Sequence, residues 1–205
     1  MRFDPAHWKA YVKANEIFRD EILKHVRPDD LVWIHDYHLL LLPQMLREAK
    51  PDISIGFFLH VPFPSSSVFR IVPKREELLR GMLGADYLGF HTHRYLQHFR
   101  TSILRLLGLT SQMDHVEFGR RIVRLDALPI GIAPHQFTDL LTKGAGTRKQ
   151  LAELKQRFGY CKILLGVDRL DYTKGIPERL RAYRKFLHDY PEWRGKVVLI
   201  QVAVP

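Results

Sequence analysis

Apolar positions along the chain switch between two periods. Trp8, Tyr11, Val12, Phe18, Ile22 and Val26 recur at helical spacing. Asp4-Pro5 ahead of them is a helix start, with Asp as the cap and Pro in the first turn. Pro28-Asp29-Asp30 closes that helix, and Leu31-Val32-Trp33-Ile34 follows as a short apolar run of the kind found in buried strands. The alternation then repeats. A helix is expected over 39–48, with Pro43 near its start, then a strand over 53–59. Pro62-Phe63-Pro64-Ser65-Ser66-Ser67 is expected to be a non-helical loop. Pro73 opens a helix through Leu79 and Met82, and 87–90 is a strand. Thr92 caps a helix carrying Leu96, Phe99, Ile103, Leu106 and Leu107, stopped by Gly108. Residues 115–128 read as a hairpin turning at Gly119-Arg120.

Beyond the hairpin, Lys143-Gly144-Ala145-Gly146-Thr147 is the best linker in the chain, being small and polar. A helix with Leu151, Leu154 and Phe158 comes next, then a strand over 162–167. Pro177 starts a helix with Leu180, Tyr183, Phe186 and Leu187, and 197–204 is a last strand. Strands that are apolar nearly throughout, alternating with helices, predict an α/β fold whose parallel sheets are covered on both faces.

Composition narrows the classes. The 205 residues are 46% hydrophobic and 26% charged, as in ordinary globular proteins, and amount to one domain or parts of two. No stretch nears the roughly 20 apolar residues of a membrane span, and no secretory signal opens the chain. A lone cysteine, Cys161, excludes an internal disulfide and a cysteine-based zinc site, so the expectation is a cytosolic protein without metal. The net charge of +10 is uneven: residues 1–60 hold 8 Lys/Arg against 9 Asp/Glu, and residues 61–205 hold 24 against 13. Most of the excess, Arg121 included, reads as solvated surface. No basic run is interleaved with aromatics and no nucleic-acid-binding signature occurs, so a nucleic-acid partner is disfavoured.

Ligands of open parallel sheets bind beyond the carboxyl ends of the strands. That rule selects His35-Asp36-Tyr37-His38 after the first strand and His60 after the second. After the strand at 162–167 it selects Asp168-Arg169-Leu170-Asp171-Tyr172-Thr173-Lys174-Gly175. Each has a plainer reading: Asp36 as a helix cap, His60 as a core histidine bonded to backbone, Arg169 and Lys174 as solvated loop residues. The last two stand before a helix N-terminus, where unpaired N–H groups favour an anion such as a diphosphate. The glycine-rich phosphate motifs, the H-E-x-x-H zinc motif and the G-x-S-x-G elbow are absent.

Trp33-Ile34-His35-Asp36-Tyr37-His38-Leu39, Gly56-Phe57-Phe58-Leu59-His60-Val61-Pro62-Phe63-Pro64, Leu88-Gly89-Phe90-His91-Thr92 and Asp168-Arg169-Leu170-Asp171-Tyr172-Thr173-Lys174-Gly175 together resemble the trehalose-6-phosphate synthase family, in that family's order. The resemblance runs from about residue 31 to 205. It implies the GT-B fold: two Rossmann-like parallel-sheet domains, both incomplete here. Residues 1–146 would be most of the acceptor-side domain and 147–205 the start of the nucleotide-sugar-binding one. It implies retaining transfer of glucose from UDP-glucose to glucose 6-phosphate, with no metal or other cofactor. Arg169 and Lys174 match the family's diphosphate-binding catalytic pair, Asp36 and, less closely, Tyr37 the acceptor-sugar contacts, and His60 a cleft residue beside the donor sugar.

The family's glycine-rich N-terminal loop and its later donor-binding acidic cluster have no counterpart in this sequence. The chain therefore resembles an internal fragment, expected to be inactive alone. A relative with another phosphorylated acceptor, such as a glucosylglycerol-phosphate synthase, and a non-catalytic sugar-phosphate-binding homologue remain as alternatives. No membrane partner is expected, and homo-oligomerisation of the full-length protein stays open.

Overall fold

A computed structural model of the chain describes residues 3–143 and 145–205. The chain divides after Gly131 into two units. In the first, Asp4 accepts a hydrogen bond from the Ala6 amide at 2.8 Å and starts helix α1 (Pro5–His25). Then come β1 (Leu31–His35), α2 (Leu42–Ala49), β2 (Ser54–Leu59), α3 (Ser66–Phe69), α4 (Arg75–Met82), β3 (Tyr87–Phe90), α5 (His93–Leu107), β4 (His115–Phe118) and β5 (Arg121–Ala127). The sheet order is β1-β2-β3-β5-β4. Every pairing is parallel except the β4–β5 hairpin at the edge, which is the one expected over 115–128. Helix α5 has the expected ends: the Thr92 hydroxyl accepts from the Tyr95 amide at 3.2 Å, and Gly108 stops it at φ 70°.

Strand alternation sends Ile34, Ile55, Phe57, Leu59, Leu88, Phe90, Val123 and Leu125 to one face. They form a single core with Leu42 and Leu46 of α2, Leu79 and Met82 of α4, and Leu96, Phe99 and Ile103 of α5; Ile22, Leu23 and Val26 extend it from α1. No long helix of this unit packs on the opposite face among the described residues. Leu31 and Trp33 are 61% and 59% exposed there, and Leu31, Trp33, Gly56, Phe58, Gly89 and Leu128 line a groove of about 490 Å³. The expectation of a sheet covered on both faces is therefore corrected: all the long helices of this unit pack on one side.

Two close approaches anchor those helices. A side chain at Gly84 would meet the Gln44 backbone of α2 at 2.2 Å, so α2 and the end of α4 pack at a distance only glycine permits. Arg47 grips both carboxylate oxygens of Asp86 at 2.7 Å, and Asp86 also accepts from the Ile55 amide at 2.8 Å. Arg121 is not the solvated residue expected: it donates to the carbonyls of Leu83, Gly84 and Ala85 and closes the end of α4. Partial burial pulls its pKa below the ordinary arginine value.

Other boundaries shift for local reasons. The helix expected from residue 39 begins at Leu42, after a 3-10 turn at Tyr37–Leu39. Ser66 and Ser67 are helical rather than loop, because Pro64 restrains only itself and its predecessor while the Ser65 carbonyl accepts from Val68 and Phe69.

The second unit holds α6 (Pro134–Lys143), α7 (Ala145–Phe158), β6 (Lys162–Arg169), α8 (Ile176–Asp189) and β7 (Val197–Val204), with β6 and β7 parallel. Helix α6 was not expected; its proline at the first position is the main sequence cue. Of the linker expected at Lys143–Thr147, Gly144 lies outside the described residues, while Lys143 ends α6 and Ala145 to Thr147 belong to α7. Strand β6 runs two residues past the expected end, so Asp168 and Arg169 are in the strand, in register with Ala203 and Val204. Among the described residues no helix is long and apolar enough to cross a membrane.

Candidate active site

Parallel pairing puts the carboxyl ends of β1, β2 and β3 at one edge, followed by Asp36, His60 and His91. The Asp36 amide still donates to the Phe58 carbonyl at 2.8 Å, so Asp36 extends the ladder. Its φ of 71° and ψ of 172° then turn the chain sharply. Asp36 is the only non-glycine residue with positive φ among those described, in a region that suits glycine.

The Asp36 carboxylate does not cap the following turn. One oxygen accepts from the amides of His60 and Val61 at 3.2 and 3.3 Å, joining the segments after β1 and β2. The second oxygen is left for another donor. The plain reading of Asp36 as a helix cap is thus replaced by a tie between two strand ends.

His60 is not a core histidine bonded to backbone. It is half-buried, and its Nε2 lies 3.0 Å from Nδ1 of His35, whose ring stacks on Trp33. On its other side His60 meets the His91 ring edge at 5.7 Å between centroids, and both rings touch Phe58. The sequence places His35 in the polar cluster after the first strand and His91 in a family-like segment, but assigns a role to neither. The available signal was a histidine at or after three successive strand ends. Tyr37 is about half exposed, stacked on His38 at 3.9 Å, with its backbone carbonyl accepting from the Tyr11 hydroxyl at 2.8 Å. Asp36, Tyr37 and His60 therefore share one edge of the first unit.

Arg169 and Lys174 occur together in the second unit. Arg169 ends β6 with its side chain 75% exposed; its nearest carboxylate is Asp171 at 3.8 Å. Asp171 is occupied by the turn it caps, accepting from both the amide and hydroxyl of Thr173 at 2.9 Å. Those bonds, with the nearby charges of Arg169 and Lys174, hold its carboxyl below the usual range. Lys174 is exposed on the same 3-10 turn, Tyr172–Lys174, and Gly175 (φ 62°) leads directly into α8.

Behind this turn the Asp168 carboxylate is bonded by Arg179 and Gln201, neither of which was read from the sequence as part of the site. Arg179 first, then Gln201, lowers the Asp168 pKa. Among the described residues no three His, Cys, Asp or Glu side chains converge as metal ligands do.

The family model of glycosyltransferase family 20 matches residues 1–205. An alpha,alpha-trehalose-phosphate synthase [UDP-forming] of Aspergillus niger is 51% identical over all of this chain, which spans 40% of that protein. The N-terminal domain of a Candida albicans trehalose-6-phosphate phosphatase superposes with a TM-score of 0.87 at 43% identity, covering 99% of this chain and 44% of that one. A structure described as trehalose-6-phosphate from E. coli bound with UDP-2-fluoro glucose gives 0.85 at 34% identity, over 99% of this chain and 45% of that one. The chain thus spans under half the length of these relatives, yet its strand-end motifs and its whole length fit one family model: it belongs to glycosyltransferase family 20.

Proposed function

We propose that the protein carrying this chain transfers glucose from UDP-glucose to glucose 6-phosphate, forming trehalose 6-phosphate and UDP with retention at the anomeric carbon. The observation that carries the reading is the position of Arg169 and Lys174. Both are exposed at the carboxyl end of β6, just before α8, and among the described residues Arg169 meets no carboxylate closer than Asp171 at 3.8 Å. Two cations held there suit a diphosphate whose charge grows as it leaves. Arg supplies a planar fork and Lys a point charge.

In the reaction an acceptor hydroxyl oxygen bonds to the anomeric carbon on the face from which UDP departs. The carbon–oxygen bond to phosphate breaks, its electron pair staying with UDP, and the hydroxyl proton passes to a phosphate oxygen. No protein base is needed. Asp36 and Tyr37 orient the acceptor, with the free Asp36 oxygen accepting from a sugar hydroxyl, and His60 lines the donor-sugar side.

Residues 1–146 are assigned to the acceptor-side domain and 147–205 to the nucleotide-sugar side, in a cytosolic protein with no nucleic-acid or membrane partner. The likeness to a trehalose-6-phosphate phosphatase domain favours one second reading, a homologue that binds sugar phosphate without transfer. UDP release by a full-length chain carrying residues 1–205, with glucose 6-phosphate present, separates the two. Turnover is expected, and Arg169→Ala is expected to lower kcat/KM for UDP-glucose by at least about 100-fold. No UDP release from the unsubstituted protein favours the second reading.

A further inference from the structure

We propose that Tyr11 and Asn15 of α1 are positioning residues for the acceptor site: they hold the Tyr37–Leu39 turn that fixes Asp36 and Tyr37. This rests on the reading of Asp36 and Tyr37 as acceptor contacts. The turn directly after Asp36 is short, and a strained residue keeps its geometry only if its surroundings over-determine it. Beside the strand-end bonds of Asp36 itself, those surroundings include one helix face. The Tyr11 hydroxyl donates to the Tyr37 carbonyl at 2.8 Å and accepts from the Leu40 amide at 3.0 Å.

One turn on, Asn15 is completely buried, and its amide nitrogen donates to the His38 carbonyl at 3.1 Å and to the Tyr11 carbonyl at 2.9 Å. Both partners are acceptors, which fixes the orientation of that amide. Side chains four apart on a helix lie above one another, so α1 presents the two groups as a pair. The Leu39 amide donates to the Asp36 carbonyl at 3.2 Å. Together these bonds engage the backbone of the turn from both ends. Burial raises the Tyr11 pKa further above the ordinary phenol value.

Neither residue lies at a strand end, and neither is charged. A buried Asn on a helix costs stability unless its polar atoms are used; here the amide nitrogen is used on the turn that carries Tyr37, while Oδ1 is buried without a partner. The consequence is specific. Loosening the turn misplaces Asp36 and Tyr37 while leaving Arg169 and Lys174, in the other unit, with the same local structure.

The test is steady-state kinetics of Tyr11→Phe and Asn15→Ser in a full-length chain carrying residues 1–205, with Asp36→Asn and Ile22→Val alongside. Tyr11→Phe keeps the ring and removes one oxygen. Both α1 variants are expected to raise KM for glucose 6-phosphate roughly five- to tenfold, with KM for UDP-glucose within about twofold. Peptides covering 37–40 should exchange amide hydrogens faster in both. Ile22→Val trims the same helix where it packs on the core, and is expected to lower Tm without moving either KM.

Equal changes in both KM values, or none, with Asp36→Asn still raising acceptor KM, overturns the positioning role alone. An Asp36→Asn variant with unchanged acceptor KM overturns the acceptor reading and the inference with it. If Tyr11→Phe fails to fold, the Asn15→Ser kinetics and the 37–40 exchange decide.

Discussion

Asp36 carries two opposing terms that can be separated. Its backbone lies at φ 71° and ψ 172°, a conformation costing about 1–3 kcal/mol for a residue with a side chain. Its carboxylate offsets that by accepting from the amides of His60 and Val61. Replacing it by alanine deletes the bonds and keeps the strain. Replacing it by glycine deletes the bonds and relieves the strain, at an entropic cost of about 0.5–1 kcal/mol. Asp36→Gly is therefore expected to be more stable than Asp36→Ala by about 1 kcal/mol in urea denaturation, while both lose acceptor use. An alanine variant as stable as the glycine one would show that the turn relaxes and stores no strain. The same residue shows what sequence can convey. Its place after a strand was readable, but its φ and its tie to the next strand end depend on a segment 24 residues away.

At the scale of elements, β6, the turn at Tyr172–Lys174, α8 and β7 are joined through Asp168. Arg179 from α8 and Gln201 from β7 both reach its carboxylate. Arg179 holds that carboxyl below its ordinary value. The sign follows: the folded unit favours the ionised form, so this stabilisation is complete above the unfolded-state value and is lost as pH falls through the lower folded-state one. Arg179→Met is expected to lower Tm at pH 7, and the gap from the unsubstituted protein should narrow as pH falls below the ordinary aspartate range. A gap that persists at acid pH would mean Arg179 acts by packing alone.

Elements were legible wherever caps and periodicity were local: Asp4 and Thr92 as starts, Gly108 as a stop, 87–90 as a strand. Three features were not. Helix α6 leaves Phe137 and Leu140 exposed, so no core contact marks it out. The end of β6 is set by pairing to β7 rather than by its own hydrophobicity. Arg121 looks like any surface arginine until the three carbonyls it serves come from 36 to 38 residues away.

For the first unit as a whole, near-continuous apolar strands predicted a sheet covered on both faces. In the structure α1, α2, α4 and α5 share one face, leaving Leu31, Trp33 and the groove between Gly56 and Gly89 open on the other. Among the described residues strand β1 is also an edge, paired only with β2. Exposed apolar faces and unpaired strand edges both invite association. The 205-residue chain produced by itself is expected to bind a hydrophobic dye strongly and to self-associate at micromolar concentration. Trp33→Ser with Leu31→Lys should weaken both effects without lowering Tm, since neither side chain belongs to the buried core. Sedimentation velocity and dye fluorescence on the two proteins check this. A monomeric, dye-silent chain would mean that this face is stable in water as it stands. The position of the face gives the result further weight: Asp36 and His60 sit at its carboxyl edge, so whatever covers Trp33 and His35 also shapes the approach to the site.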